Sequence, residues 1–142
     1  ANRGVYESNR KKVLFRLSEL EKKISNELLP IHKQPFVVLH AAYQYFEKAF
    51  GLTSVGTILL DPGRMPSAAT VKRVRDKIRQ ESVVCVFQEP QFSDRLVWTV
   101  TDGLNVGKSS LDPLGVSFEA GADQYFQMMQ ALSHSISGCL NK

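Results

Sequence analysis

A chain of 142 residues that is 43% hydrophobic and 23% charged is one domain's worth of globular protein, long enough to bury roughly two-thirds of the surface its unfolded form exposes. No apolar run approaches the roughly 20 residues a helix needs to cross a bilayer. The net charge is +4, but the basic pairs Lys11-Lys12, Lys22-Lys23 and Lys72-Arg73 are interleaved with Glu19, Glu21, Asp76 and Glu81, which reads as solvated helix faces and argues against a nucleic-acid partner, where such charge gathers on one surface with aromatics between.

The first predicted element is a long helix over residues 5–29. Val13, Leu17, Leu20, Ile24 and Leu28 step by three or four and make one apolar stripe, and Pro30 ends it. After a short loop the period changes in an orderly way. "FVVLH" (36–40) is a strand, followed by a helix with Tyr43, Phe46 and Phe50 on one face and Gly51 as its stop. "TSVGTILL" (53–60) is a second strand, closed by the 61–66 turn, after which Ser67 caps a helix carrying Val71, Val74 and Ile78 inward. "SVVCVF" (82–87) is a third strand with 88–92 as its exit loop, and Ser93 or Asp94 caps a helix that stops at Gly103. "NVGKSSL" (105–111) is a weaker fourth strand, residues 112–123 form a loop, and the last helix carries Tyr125, Met129, Leu132, Ile136 and Leu140 on one stripe. Strand then helix, four times over, with nearly continuous apolar strands, predicts an α/β domain: a four-stranded parallel sheet covered by helices on both faces, with right-handed crossovers.

In an open parallel sheet the binding crevice lies outside the carboxyl ends of the strands. Here the first strand ends in His40, the second runs into Asp61, the third into Glu89 and the fourth into Asp112. One imidazole and three carboxylates on one edge suit zinc or manganese better than a soft metal. Each has a plainer reading as well. Asp61-Pro62-Gly63 is a turn signature, Glu89 before Pro90 suits backbone hydrogen bonding, Asp112-Pro113 is another turn, and a strand-end histidine is more often structural than a ligand. His32 and His134 read as solvent-facing. There is no G-x-S-x-G elbow and no Gly-rich phosphate loop with its lysine. Cys85 and Cys139 are the two cysteines, and sequence alone leaves them equally open to pairing or to life as buried free thiols.

"PFVVLHAAYQYFEKAFGL", "CVFQEPQF", "LDPLG" and the closing "CL" occur in an order and spacing that resemble the C-terminal lobe of the zinc-specific periplasmic solute-binding proteins of bacterial ABC importers, the ZnuA type. The likeness covers essentially the whole chain. It implies two lobes joined by a long rigid helix, with the metal between them. Residues 1–32 would be the end of that helix and its loop, and residues 33–142 the C-terminal metal-binding lobe. The resemblance makes His40 a zinc ligand, Asp112 a candidate ligand, and Glu89 a residue behind the ligands or a structural one. It also implies a disulfide between Cys85 and Cys139, and with it the oxidising periplasm. The expected function is zinc capture and delivery to the membrane permease of an importer, without enzymatic activity.

Two departures stand out. The family commonly reads His-Asp-Ala-Tyr where this chain has His40-Ala41-Ala42-Tyr43. The N-terminal lobe, which supplies further histidines, is not in the sequence, so the expectation is one lobe of a longer protein, with an incomplete, weak zinc site and self-association through the exposed helix stripe. The rival reading is a small doubly wound metal-dependent enzyme or signalling domain using Asp61, Glu89 and Asp112.

Overall fold

The computed structural model describes residues 2–61 and 63–141; Pro62, in the predicted 61–66 turn, lies outside them. In chain order the elements are α1 (Arg3–Leu28), a 3-10 turn (Leu29–Ile31), β1 (Phe36–His40), α2 (Gln44–Phe50), β2 (Ser54–Leu59), α3 (Ala68–Gln80), β3 (Cys85–Gln88), α4 (Arg95–Thr101), β4 (Gly107–Ser110) and α5 (Gln124–Leu140). The four strands form one sheet in the order β2-β1-β3-β4, and every pairing is parallel. This is the α/β architecture that the strand-helix rhythm predicts.

Alternation along the strands sorts the core into two layers. Phe36 and Val38 of β1, with Cys85 and Phe87 of β3, face one layer, where Leu20, Ile24 and Leu28 of α1 meet Phe46 of α2 and Leu132, Ile136 and Leu140 of α5. Val37 and Leu39 of β1, with Val86 of β3, face the other, against Val74 and Ile78 of α3 and Val97 and Val100 of α4. The disulfide Cys85–Cys139 crosses the first layer, with Cα atoms 6.0 Å apart, and fastens the inner strand β3 to α5. The pairing implied by the family likeness is therefore formed.

Three differences from the pattern bear on the packing. The third strand begins at Cys85, not at Ser82, because Ser82 sits in the left-handed region with φ 49°. There it closes α3, its N–H donating to Arg79 O and that of Val83 to Ile78 O. On α5, Tyr125 is 48% exposed and Phe126 packs inward in its place. The third difference is the apolar stripe of α1, which is only half used. Leu20, Ile24 and Leu28 are buried, whereas Val5, Tyr6, Val13, Leu14 and Phe15 are 46–69% exposed. The helix is about 39 Å long at 1.5 Å per residue, and the sheet and α5 cover only its C-terminal part. The packed part begins near Arg16, whose guanidinium pairs with Asp123 and lies 3.9 Å over the Phe126 ring.

Candidate metal centre

The same alternation and pairing decide what His40 faces. In β1 it has the parity of Phe36 and Val38, and Glu89, just beyond β3, has the parity of Cys85 and Phe87. The register sets Phe36 opposite Cys85 and Val37 opposite Val86. Continued four residues along, it brings position 40 level with position 89. His40 Nδ1 lies 2.7 Å from Glu89 Oε1, with side chains 22% and 2% exposed respectively. A tertiary partner thus answers what an imidazole does at the end of a buried strand. The Phe92 ring stands beside it, centroids 5.8 Å apart.

Three buried polar atoms collect here without an aligned hydrogen-bond partner: His40 Nδ1, Glu89 Oε1 and the Tyr43 hydroxyl. Burial pushes the Glu89 carboxyl above the ordinary carboxylate range, while the His40 beside it pulls the other way. Burial first, and then the negative charges of Glu89 and Asp112, hold the Tyr43 phenol far above its ordinary range. Tyr43 is thus a neutral phenol facing two carboxylates. Sequence reasoning treated it only as a member of an apolar helix face. A tyrosine in such a stripe packs like any aromatic, and the need for a polar partner shows only when Glu89 is placed over it.

A buried carboxylate behind Nδ1 has a definite chemical consequence. It fixes the imidazole orientation and its tautomer, and so leaves Nε2 as the ring nitrogen that carries the lone pair.

Asp112 is built differently. Oδ1 accepts from Gln91 Nε2 at 2.7 Å and from the backbone N–H groups of Leu114 and Gly115 at 3.2 and 3.0 Å, and Oδ2 accepts from Ser117 N at 3.1 Å. Burial works to raise this carboxyl, but bonds from Ser117, Gln91 and Leu114 prevail and hold it below the ordinary carboxylate range. Asp112 therefore organises its own loop while remaining ionised. Gln91, Leu114 and Gly115 all donate to Oδ1, so Oδ2, facing Ser117 alone, is the less encumbered oxygen for a cation.

Asp61 takes the plainer course: Oδ1 accepts from Gly63 N at 2.9 Å and shapes the turn after β2, an edge strand. Among the described residues no three His, Cys, Asp or Glu side chains gather into a group that would hold a metal. This corrects the picture of one joint site made by Asp61, Glu89 and Asp112. The first is spent on its turn, the second is buried behind His40, and the third is held by four N–H donors. His32 Nδ1 lies 2.5 Å from Leu29 O, and His134 is exposed at 88% and 3.4 Å from Glu27 Oε1, so neither belongs to this edge.

Residues 1–139 match the model of the family described as the periplasmic zinc-uptake complex component A, ZnuA. The high-affinity zinc uptake system protein ZnuA of Brucella suis is 42% identical over 137 residues, which are 96% of this chain and 41% of that protein. The Yersinia pestis protein of the same name is 33% identical over 98% of this chain and 44% of its own length. The chain thus spans less than half the length of these relatives. A crystal structure of ZnuA superposes with a TM-score of 0.81 at 27% identity, over 98% of this chain and 49% of that one. The Mn2+ complex of the solute-binding protein FpvC from Pseudomonas aeruginosa shares the fold, with a TM-score of 0.82 at 23% identity over 99% of this chain and 51% of that one.

Proposed function

This chain belongs to the ZnuA family of periplasmic zinc-uptake components, and we propose that it is the C-terminal lobe of a solute-binding protein that captures Zn2+ and hands it to a membrane importer. Zinc is the cargo, not a resident cofactor, and the role is binding rather than catalysis. The observation that carries the reading is the His40–Glu89 pair. A carboxylate on one ring nitrogen, with the other nitrogen left as an acceptor, is the arrangement in which histidine binds a metal with a fixed tautomer. The imidazole and carboxylate donor set also suits Zn2+.

In this reading His40 Nε2 is the ligand, Glu89 orients it, and Tyr43 lies against Glu89. Asp112 is the second donor through Oδ2. Residues 33–142 form the metal-binding lobe, and residues 1–32 the end of a helix that links it to an N-terminal lobe. Zinc usually takes four donors, so two from this lobe leave the remainder to its partner lobe, and the isolated chain binds weakly. The exposed apolar half of α1 supports self-association when that partner is missing. The setting is the periplasm, where the Cys85–Cys139 bond persists, and the recipient is an ABC permease in the membrane.

The test is competition for Zn2+ against a chromophoric chelator. His40→Ala should abolish binding, and Glu89→Gln should weaken it by about 10- to 100-fold, the usual effect of losing a ligand's carboxylate partner. Asp61→Asn should match the wild type. Equal zinc binding by wild type and His40→Ala would overturn the assignment.

A further inference from the structure

On the face of the sheet opposite the His40–Glu89 pair, a groove of about 760 Å³ runs between α3 and α4. Its floor is apolar: Leu39 and Leu59 from the sheet, Val71 from α3, and Phe92 and Leu96 from the start of α4 and the loop before it. The loops that follow β2 and β3 line one end, so the groove opens on the same edge of the domain as His40. From Ala68 to Arg79 it follows α3 for about 16 Å, taking 1.5 Å per residue. That is the length of a short helical segment of another protein.

The rim is basic, and its cations differ in availability. Arg75 is committed, donating to the carbonyls of Thr99 and Asp102 at 2.8 and 2.7 Å. Lys72 and Arg79 share Asp76 at 2.6 and 3.5 Å. Arg64 and Arg95, at the mouth formed by the two loops, are exposed and have no acidic partner among the described residues. An apolar floor with two free guanidiniums at its mouth has a definite complement. We propose that this groove docks an acidic amphipathic segment of a partner protein, its apolar side chains three or four residues apart and its carboxylates meeting Arg64 and Arg95.

Charge also bears on who that partner is. The exposed apolar half of α1 in a second copy is a rival occupant. It carries Arg3, Arg10, Lys11, Lys12 and Arg16 against Glu7 alone, so the rim repels it. A nucleic acid would require a continuous basic track, and Asp76 interrupts this one. The inference goes beyond zinc capture and does not depend on it.

The experiment uses the 15N-labelled chain and two amidated 12-residue peptides. Both carry leucine at positions spaced i, i+3, i+4 and i+7; one has glutamate at the other positions and its counterpart has lysine. The glutamate peptide should give saturable amide shifts confined to residues 63–79 and 92–99, and the lysine peptide should give none there. The double variant Arg64→Glu with Arg95→Glu should bind the glutamate peptide at least 10-fold more weakly and acquire binding of the lysine peptide. Both positions are exposed, and an otherwise unchanged amide spectrum checks the fold. Equal binding of the two peptides, or shifts centred on α1 and α5, would overturn the proposal. Saturation of the groove by dodecanoate in preference to the glutamate peptide would overturn it in favour of a small amphiphilic anion. Arginine-dependent binding of phosphatidylglycerol vesicles in place of the peptide would do so in favour of a membrane surface. Running the series on His40→Ala separates the two claims, because loss of zinc binding should leave the peptide result unchanged.

Discussion

Replacing both cysteines, Cys85→Ala together with Cys139→Ala, should remove the largest single covalent contribution to stability. The bond spans a sequence separation of 54, and closing a loop of that length in the unfolded chain is worth about 4 kcal/mol at 25 °C in the chain-entropy model. Both cysteines are buried, at 0% and 4% exposure, so alanine also leaves a small void and adds up to about 1 kcal/mol. With a urea slope of about 2 kcal/mol per molar, the unfolding midpoint should fall by about 2 M. The slope itself should steepen, because a chain freed of its cross-link exposes more surface when unfolded. The assay is urea unfolding followed by circular dichroism, on the oxidised protein, on the reduced protein and on the double variant. The last two should resemble each other and differ together from the first. Midpoints for all three within about 0.3 M would refute the reasoning, as would two titratable thiols in the denatured, unreduced protein.

Along α1, Ile24→Ala should cost about 2–5 kcal/mol because its side chain is fully buried against α5 and the sheet, while Val13→Ser on the same stripe should stay within about 0.5 kcal/mol. Urea midpoints check both, and similar losses would mean that the exposed half of the helix packs after all. Tyr43→Phe should change the alkaline limb of stability. The folded phenol is held above the ordinary value of about 10, so its contribution is intact below pH 10 and is lost as the pH rises beyond it, by at most about 1.4 kcal/mol per pH unit. The variant lacks this slope, and parallel stability profiles from pH 8 to 11 would contradict the burial of the hydroxyl among acids.

The layers were legible because period changes are local: a two-residue alternation gives way to a helical stripe within a few positions, and Pro30, Gly51 and Ser67 mark the boundaries. Pairing and register are not local. His40 and Glu89 could each be placed at a strand end, yet their meeting depends on β1 lying beside β3, a choice made by the whole sheet. The same limit governed Asp112 and Asp61. Both precede proline and look alike in sequence, but one gathers donors from Gln91 to Ser117 while the other closes a two-residue turn. Val13 fits the apolar stripe as well as Leu20 does. Whether a neighbour reaches it is a matter of how far α5 extends, which no helical period encodes. Family likeness supplied what topology could not, namely the cysteine pairing and the roles expected of His40 and Asp112.

The most direct test of the zinc reading is titration of Zn2+ into the 15N-labelled chain, followed on the histidine side-chain nitrogens. Before metal, His40 should show the tautomer protonated at Nδ1, the nitrogen 2.7 Å from Glu89. On titration its Nε2 signal should be the first to shift and saturate, and His40→Ala should remove that event. Shifts confined to His32 and His134, or none at all, would contradict a zinc-capturing role for this edge of the sheet.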